Sequence, residues 1–212
     1  MTSAIVIAID GPVAAGKGTL ARQLAAHYGL RHLDSGMLYR AVAARLLEAG
    51  GDPDDAAAAA GAARALVSQD LERGNLRSEA VGRAASKVAA NPDVRAALLA
   101  FQRAFAAEPP GAVVDGRDIG TVVFPDAQAK LFVTATETAR VERRYRELLE
   151  REGGADRAAV ARDLAERDRR DRERQTAPLR QADDAICLDS SDLDAGQVFA
   201  AALAFVDQRL NS

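Results

Sequence analysis

The run Ala4-Ile5-Val6-Ile7-Ala8-Ile9-Asp10, followed by Gly11-Pro12-Val13-Ala14-Ala15-Gly16-Lys17-Gly18-Thr19, constrains this chain more than any other segment. Six consecutive apolar residues rich in β-branched side chains read as a strand buried on both faces, the pattern of a parallel sheet under helices. A glycine-rich turn from such a strand into a helix N-terminus brings free backbone N–H groups and the helix dipole to one point, which makes an anion site. Gly11 and Gly16 allow dihedrals that a side chain forbids. Residues Gly11, Pro12, Val13, Ala14, Ala15, Gly16, Lys17, Gly18 and Thr19 are therefore expected to hold the phosphates of a nucleoside triphosphate, with Lys17 reaching the β- and γ-phosphates. The strict pattern asks for Ser or Thr directly after the lysine as a magnesium ligand. Here Gly18 takes that place, and Thr19 follows as the candidate.

Further strands are predicted at Arg31–Asp34, Ala112–Asp115, Lys130–Val133 and Ile186–Leu188. Helices are predicted over Lys17–Tyr28, from Ser35 to Gly50-Gly51, over Asp54–Ala90 with a break near Ser68–Arg77, and from Asn91-Pro92 to Glu108. Others follow at Glu137–Glu152, Asp156–Gln175 and from Asp194 to Leu210. Asn91 and Pro92 have N-cap and first-turn chemistry, and Asp194 with Gln197 spells a capping box. Strands alternating with helices predict an α/β fold with a parallel sheet. The helix-only stretch from about 36 to 107 predicts a lobe beside it.

Composition narrows the partners. With 28 Lys and Arg against 31 Asp and Glu, the net charge is −3, so no global field favours nucleic acid or an anionic membrane, and an anion site must come from local arginines. One cysteine, Cys187, excludes an intramolecular disulfide. Its setting, Ala185-Ile186-Cys187-Leu188, reads as a buried small hydrophobe. No basic leader precedes the first apolar run, and no stretch is long enough to span a bilayer, so the protein is expected to be cytoplasmic and monomeric. No Asn-Lys-x-Asp motif marks a guanine switch, and no Leu-Ser-Gly-Gly-Gln signature marks a transporter ATPase.

Three clusters bear on the phosphoryl acceptor. Asp34-Ser35-Gly36-Met37-Leu38-Tyr39-Arg40 closes the second strand and suits either a phosphate clamp or an ordinary N-cap. Asp115-Gly116-Arg117-Asp118-Ile119-Gly120-Thr121 follows the carboxyl end of a buried strand, the edge at which open parallel sheets bind ligands. Asp115 sits where the magnesium shell of phosphate-loop enzymes is often completed. In Glu166-Arg167-Asp168-Arg169-Arg170-Asp171-Arg172-Glu173-Arg174, the residues Arg167, Asp171 and Arg174 share one helix face. The pairs Asp163/Arg167 and Asp168/Arg172 equally fit a solvated surface.

Taken in order along nearly the whole chain, the phosphate loop, the Asp34–Arg40 run, the Asp115–Thr121 segment and the Arg/Asp-rich helix resemble the bacterial cytidylate kinases. The resemblance implies a P-loop NTPase core with a five-stranded parallel sheet (residues 1–35, 108–152 and 176–212), a monophosphate-binding lobe (about 36–107) and a lid (about 153–175). It implies transfer of the γ-phosphoryl of ATP to CMP or dCMP with Mg2+. Ser35 would belong to the substrate-binding turn, Arg40, Arg117 and Arg174 would hold the acceptor phosphate, Ser86, Arg95 and Asp118 would read the cytosine, and Arg167 and Asp171 would contact the ribose. Lys17, Arg117 and Arg174 would be the catalytic cations, and Thr19 and Asp115 the metal ligands. Arg140 and Arg144 are further candidates for contact with ATP. Longer members of the family carry paired strands where this chain has only Ser68–Arg77. The alternatives from the residues alone are a kinase for UMP, AMP or a non-nucleotide acceptor, and a nucleotide-binding regulator.

Overall fold

The computed structural model describes residues 4–211, so residues 1–3 and 212 at the ends of the expected core lie outside it. Five strands, β1 (Ile5–Asp10), β2 (Arg31–Asp34), β3 (Gly111–Gly116), β4 (Ala129–Thr134) and β5 (Ile186–Asp189), form one sheet in the order β2-β3-β1-β4-β5. Every neighbouring pair is parallel. The central position of β1 explains its unbroken apolar run. Ile7 and Ile9 pack on one face with Leu20 and Leu24 of α1 (Lys17–Tyr28) and Val198 of α8 (Ala195–Leu210). Ala8 packs on the other face with Val114 and Ile119.

Between β2 and β3 the chain makes α2 (Ser35–Glu48), α3 (Ala56–Arg64), α4 (Glu79–Val88) and α5 (Pro92–Ala107). The interior that α2 shares with α3 and α4 is largely alanine: Ala41, Ala43, Ala44, Ala59, Ala63, Ala84 and Ala85 are all buried together. The cap signals act as read. Asn91 accepts from the N–H groups of Asp93 and Val94, and Asp194 and Gln197 form a reciprocal capping box. The break near Ser68–Arg77 is a 3₁₀ turn, Ser68–Glu72, held by the Asp70 carboxylate. That carboxylate accepts from Val67 N–H (3.0 Å) and pairs with Arg45 (3.1 Å) and Arg73 (2.5 Å). After β4 come α6 (Glu137–Glu152), which ends at Gly153 with φ 72°, and α7 (Arg157–Glu173).

One expectation needs correction here. Cys187 is exposed, not buried. β5 is an edge strand; Ile186 and Leu188 pack into the α1/α8 core, while Cys187 alternates to the uncovered face. After β3, Ile119–Val123 makes a π-helical turn. Among the described residues, no helix is long and apolar enough to cross a membrane.

The junction of β1 with the phosphate loop leaves no freedom at Gly11. Its φ is 145°, and a Cβ there would lie 1.9 Å from the carbonyl oxygen of Val133, a backbone atom that cannot swing aside. Gly11→Ala is expected to destabilise the fold by about 3 kcal/mol or more. For a chain of this length that lowers Tm by roughly 6–12 °C. Gly16→Ala meets nothing within 4 Å and carries only the strain of φ 92°, so thermal melts of the two variants should separate clearly.

Candidate active site

The loop from β1 to α1 has Ala14 at φ 60° and Gly16 at φ 92°. Gly16 is the N-cap of α1 and makes no side-chain cap, so the first N–H groups of the helix are left for a ligand. Lys17 is buried, and its ammonium donates to the carbonyl of Pro12 (2.7 Å). The cavity in front of this loop has a volume of about 390 Å3. Its charged lining is Lys17, Arg22, Arg40, Arg77, Arg117, Arg144 and Arg151 against Asp34, Asp115 and Glu147. A surplus of cations beside an uncapped helix N-terminus suits a polyphosphate.

Two carboxylates stand at the floor of this cleft. Asp34 and Asp115 are register partners at the carboxyl ends of β2 and β3. Burial, and then the neighbouring charge of Asp115, push the Asp34 carboxyl above its ordinary range. Asp115 bonds His32 Nε2 (2.7 Å). A Cβ at Gly18 would sit 3.6 Å from Arg22 Nη1 and 4.0 Å from Asp115 Oδ2, so the residue directly after the lysine lies beside both side chains. Thr19 lines the cleft with its side chain exposed, and Arg22 donates to its hydroxyl (3.4 Å). Among the described residues, no cluster of three or more His, Cys, Asp or Glu forms a self-sufficient metal cage.

A second cavity, about 120 Å3, gathers nine residues expected to bind the acceptor: Ser35, Arg40, Ser86, Arg95, Arg117, Asp118, Arg167, Asp171 and Arg174. They come from α2, α4, α5, the segment after β3, and α7 with its C-terminal cap. In the ligand-free chain the charges pair with one another. Asp118 is bonded by Arg95 and by Arg174 Nη2 (3.2 Å), and Asp171 accepts from Arg117 Nε (2.8 Å). Burial raises the Asp118 carboxyl above its ordinary range, and the two arginines oppose that rise. Ser35 Oγ donates to the carbonyl of Asp115 (2.8 Å), whereas Ser86 Oγ is buried without a partner among the described residues. The two cavities share Val13, Gly36, Arg40 and Arg117, so they are neighbouring parts of one cleft.

Asp10 and a third cavity were not foreseen, while Arg144 and Arg140, both candidates for contact with ATP, fall differently. Asp10, at the end of β1, accepts from the N–H groups of Ile119 and Gly120 (2.7 Å each). Burial is the main reason its carboxyl is raised to about 6, against the lowering effect of those two bonds. Its signal in the sequence was a carboxylate closing an apolar strand. Arg144 lines the phosphate cleft and pairs with Glu79 of α4. Arg140 does not line it: its guanidinium bonds Asp168 (2.6 Å) and the carbonyls of Ala135 (3.2 Å) and Val13 (3.3 Å). A third cavity, about 300 Å3, adjoins the loop at Gly16 and Thr19 and is walled by Leu20, Leu193, Val198, Gln23 and Arg143. Nothing in the spacing of those residues announced it.

The family model for cytidylate kinase matches residues 7–208. A cytidylate kinase of Paramagnetospirillum magneticum is 58% identical over 207 residues, covering 96% of this chain and 98% of the relative. One of Acidiphilium cryptum is 57% identical over 212 residues, covering 99% of both. Among solved structures, an uncharacterised protein from Eubacterium ventriosum aligns with a TM-score of 0.57 at 16% identity, over 96% of this chain and 98% of that one. A gluconokinase from Sinorhizobium meliloti aligns at 0.50 and 15%, over 98% and 94%. These two share the fold.

Burial, then the charge of Arg117, pushes the Lys17 ammonium down to about 7. Above that pH the ligand-free amine is mostly neutral, while a bound polyphosphate favours the cation. Binding must then bring in a proton, and affinity for ATP should fall as pH rises through about 7. Calorimetry at pH 8 in buffers of different ionisation enthalpy should show uptake of about one proton per ATP. Lys17→Ala should abolish it.

Proposed function

The chain belongs to the cytidylate kinase family and is an ATP-dependent CMP kinase, and we propose that its two adjoining cavities divide donor from acceptor, with dCMP accepted alongside CMP. The observation that carries this reading is that Arg40 and Arg117 line both cavities. Phosphoryl transfer needs the acceptor oxygen and the γ-phosphorus of the donor to meet in line, with cations around the moving group. A residue pair common to both compartments stands where the two phosphates would meet.

An oxygen of the CMP phosphate attacks the γ-phosphorus, the bond to the β–γ bridging oxygen breaks, and CDP and ADP result. No side chain forms a covalent intermediate. Lys17 and the N–H groups of the Gly11–Thr19 loop hold the donor phosphates, while Arg117 and Arg174 join Lys17 in balancing charge on the transferred group. Ser35 and Arg40 orient the acceptor phosphate, and Arg167 and Asp171 its ribose. The apolar slot of Leu20, Leu193 and Val198 suits the donor base. Mg2+ fits the crowded pair of carboxylates: Asp115, with Asp34 beside it and Thr19 in the same cleft, would hold the ion, largely through water and phosphate oxygens. It would supply charge neutralisation at the phosphates. Residues 36–107 act as the monophosphate-binding lobe and 153–175 as a lid. We propose a monomer, working in the cytoplasm where its nucleotides are found.

The lid assignment predicts that amide hydrogen exchange in α7 slows when ATP analogue and CMP are both bound. Unchanged exchange would leave α7 a fixed wall. Base choice gives a sharper test. Cytosine presents an amino donor beside ring-nitrogen and carbonyl acceptors, matching Asp118, the unpartnered Ser86 hydroxyl and Arg95. Uracil turns a carbonyl toward Asp118 and an N–H toward Arg95. Each mismatched buried group costs about 1–3 kcal/mol, so kcat/KM should favour CMP over UMP by about 100-fold or more. Asp118→Ala should erase much of that gap, mainly by weakening CMP. Equal use of both monophosphates by the unaltered enzyme would remove the cytosine assignment.

A further inference from the structure

Helix α4 carries a buried glycine, Gly82, in its interior. Glycine weakens a helix relative to alanine. The backbone gives no reason for it, since Gly82 is not among the glycines of positive φ. The reason lies opposite. A Cβ on Gly82 would stand 2.3 Å from Arg167 Nη2 and 3.0 and 3.1 Å from Arg40 Nη2 and Nη1. Two guanidinium groups, one from α2 and one from α7, thus converge on a patch of bare helix backbone.

Glu79 and Asp163 lie near enough to act on Arg167 by charge, but they leave its Nε and Nη2 donors unbonded. Arg167 is 5% exposed, and its Nη2 has no acceptor among the described residues. Asp163 lies 3.1 Å from Arg167 Nε, but the angle is poor for a hydrogen bond. Burial, and then the charges of Arg167 and Arg144, push the Arg40 guanidinium down to about 10. Arg40 Nη1 donates to the carbonyls of Leu76 (2.8 Å) and Ser78 (3.4 Å), so it is the buried Arg167 guanidinium that is left with donors to offer a ligand. Gly82, Arg40 and Arg167 all line the cavity assigned to the acceptor.

We propose that Gly82 is a positioning residue for the monophosphate: its missing side chain lets Arg40 and Arg167 close on a single point, and so sets the affinity for CMP. This rests on the assignment of Arg40 and Arg167 to the acceptor. The physical content is an asymmetry of cost. A Cβ at position 82 collides with the free end of a flexible side chain, so the fold yields easily. To regain ordinary contact, the Arg167 guanidinium must retreat by about 1 Å, and displacements of that size at a reacting site cost on the order of 100-fold.

Gly82→Ala should therefore leave Tm unchanged or raise it by about 2–4 °C. It should raise KM for CMP by about 10-fold or more, while KM for ATP stays within about twofold. In an Arg167→Ala background the same substitution should change KM for CMP by less than about twofold, because the group in hard collision is gone and Arg40, at 3.0 and 3.1 Å, need give way only slightly. The proposal is overturned if Gly82→Ala leaves KM for CMP unaltered while Arg167→Ala raises it, a result that keeps the acceptor assignment. It is also overturned if the two substitutions are additive, or if both nucleotides suffer equally as Tm falls. Should neither Arg40→Ala nor Arg167→Ala affect CMP, the assignment itself fails and this inference with it. If Gly82→Ala does not fold alone, recovery of folding in the double variant with Arg167→Ala supports the contact, and persistent failure overturns it.

Discussion

Everything in the cleft depends on one buried carboxylate. Asp10 closes the central strand and accepts from two successive N–H groups, those of Ile119 and Gly120, on the π-helical turn after β3. It thereby ties the strand that launches the phosphate loop to the segment that carries Arg117 and Asp118. A carboxylate kept 4% exposed with two short backbone bonds is a rigid link, because either bond left unmade would strand a buried polar group. Donor loop and acceptor segment are consequently fixed relative to each other, and what remains adjustable belongs to the helices around them.

Those helices bring many arginines into the cleft, and most of them pair with carboxylates of the protein. Arg95 and Arg174 turn to Asp118, Arg117 to Asp171, and Arg144 to Glu79, so carboxylates of the protein occupy the arginines that the phosphates and base would take. These pairs bridge separate elements, α5 to the segment after β3, that segment to α7, and α4 to α6. Exchange of internal partners for nucleotide is then the natural route by which binding alters how α4, α6 and α7 sit together.

Much of the core was legible, because β1 lies between neighbours on both sides and its side chains must be apolar throughout. The same reasoning failed for Cys187: a short apolar run looks alike in a central strand and an edge strand, and only the sheet order distinguishes them. The phosphate loop was readable because its glycines and lysine are contiguous. Ser86 and Arg95 were not, since a serine within a helix and a lone arginine carry no local pattern; they were placed by likeness to a family. Asp10, Asp34 and Gly82 matter through contacts with residues far away in the chain, which no window of sequence contains. For Arg167 and Asp171 the spacing left two readings open, and their burial in the acceptor cavity decides against a solvated face.

The alanine interior of the helical lobe has a consequence for how this protein tolerates mutation. In most cores the common damage is deletion, a large side chain lost and a void left behind. At Ala41, Ala43, Ala44, Ala84 and Ala85, little remains to be removed, and nearly every change adds volume. Added volume separates helix axes. α2 carries Arg40 and α4 carries Gly82 and Ser86, so a methyl group gained deep in the lobe would travel outward as a shift of the acceptor's contacts. Drift in this interior is therefore constrained by the geometry of a site that, Ala85 apart, the drifting residues do not line.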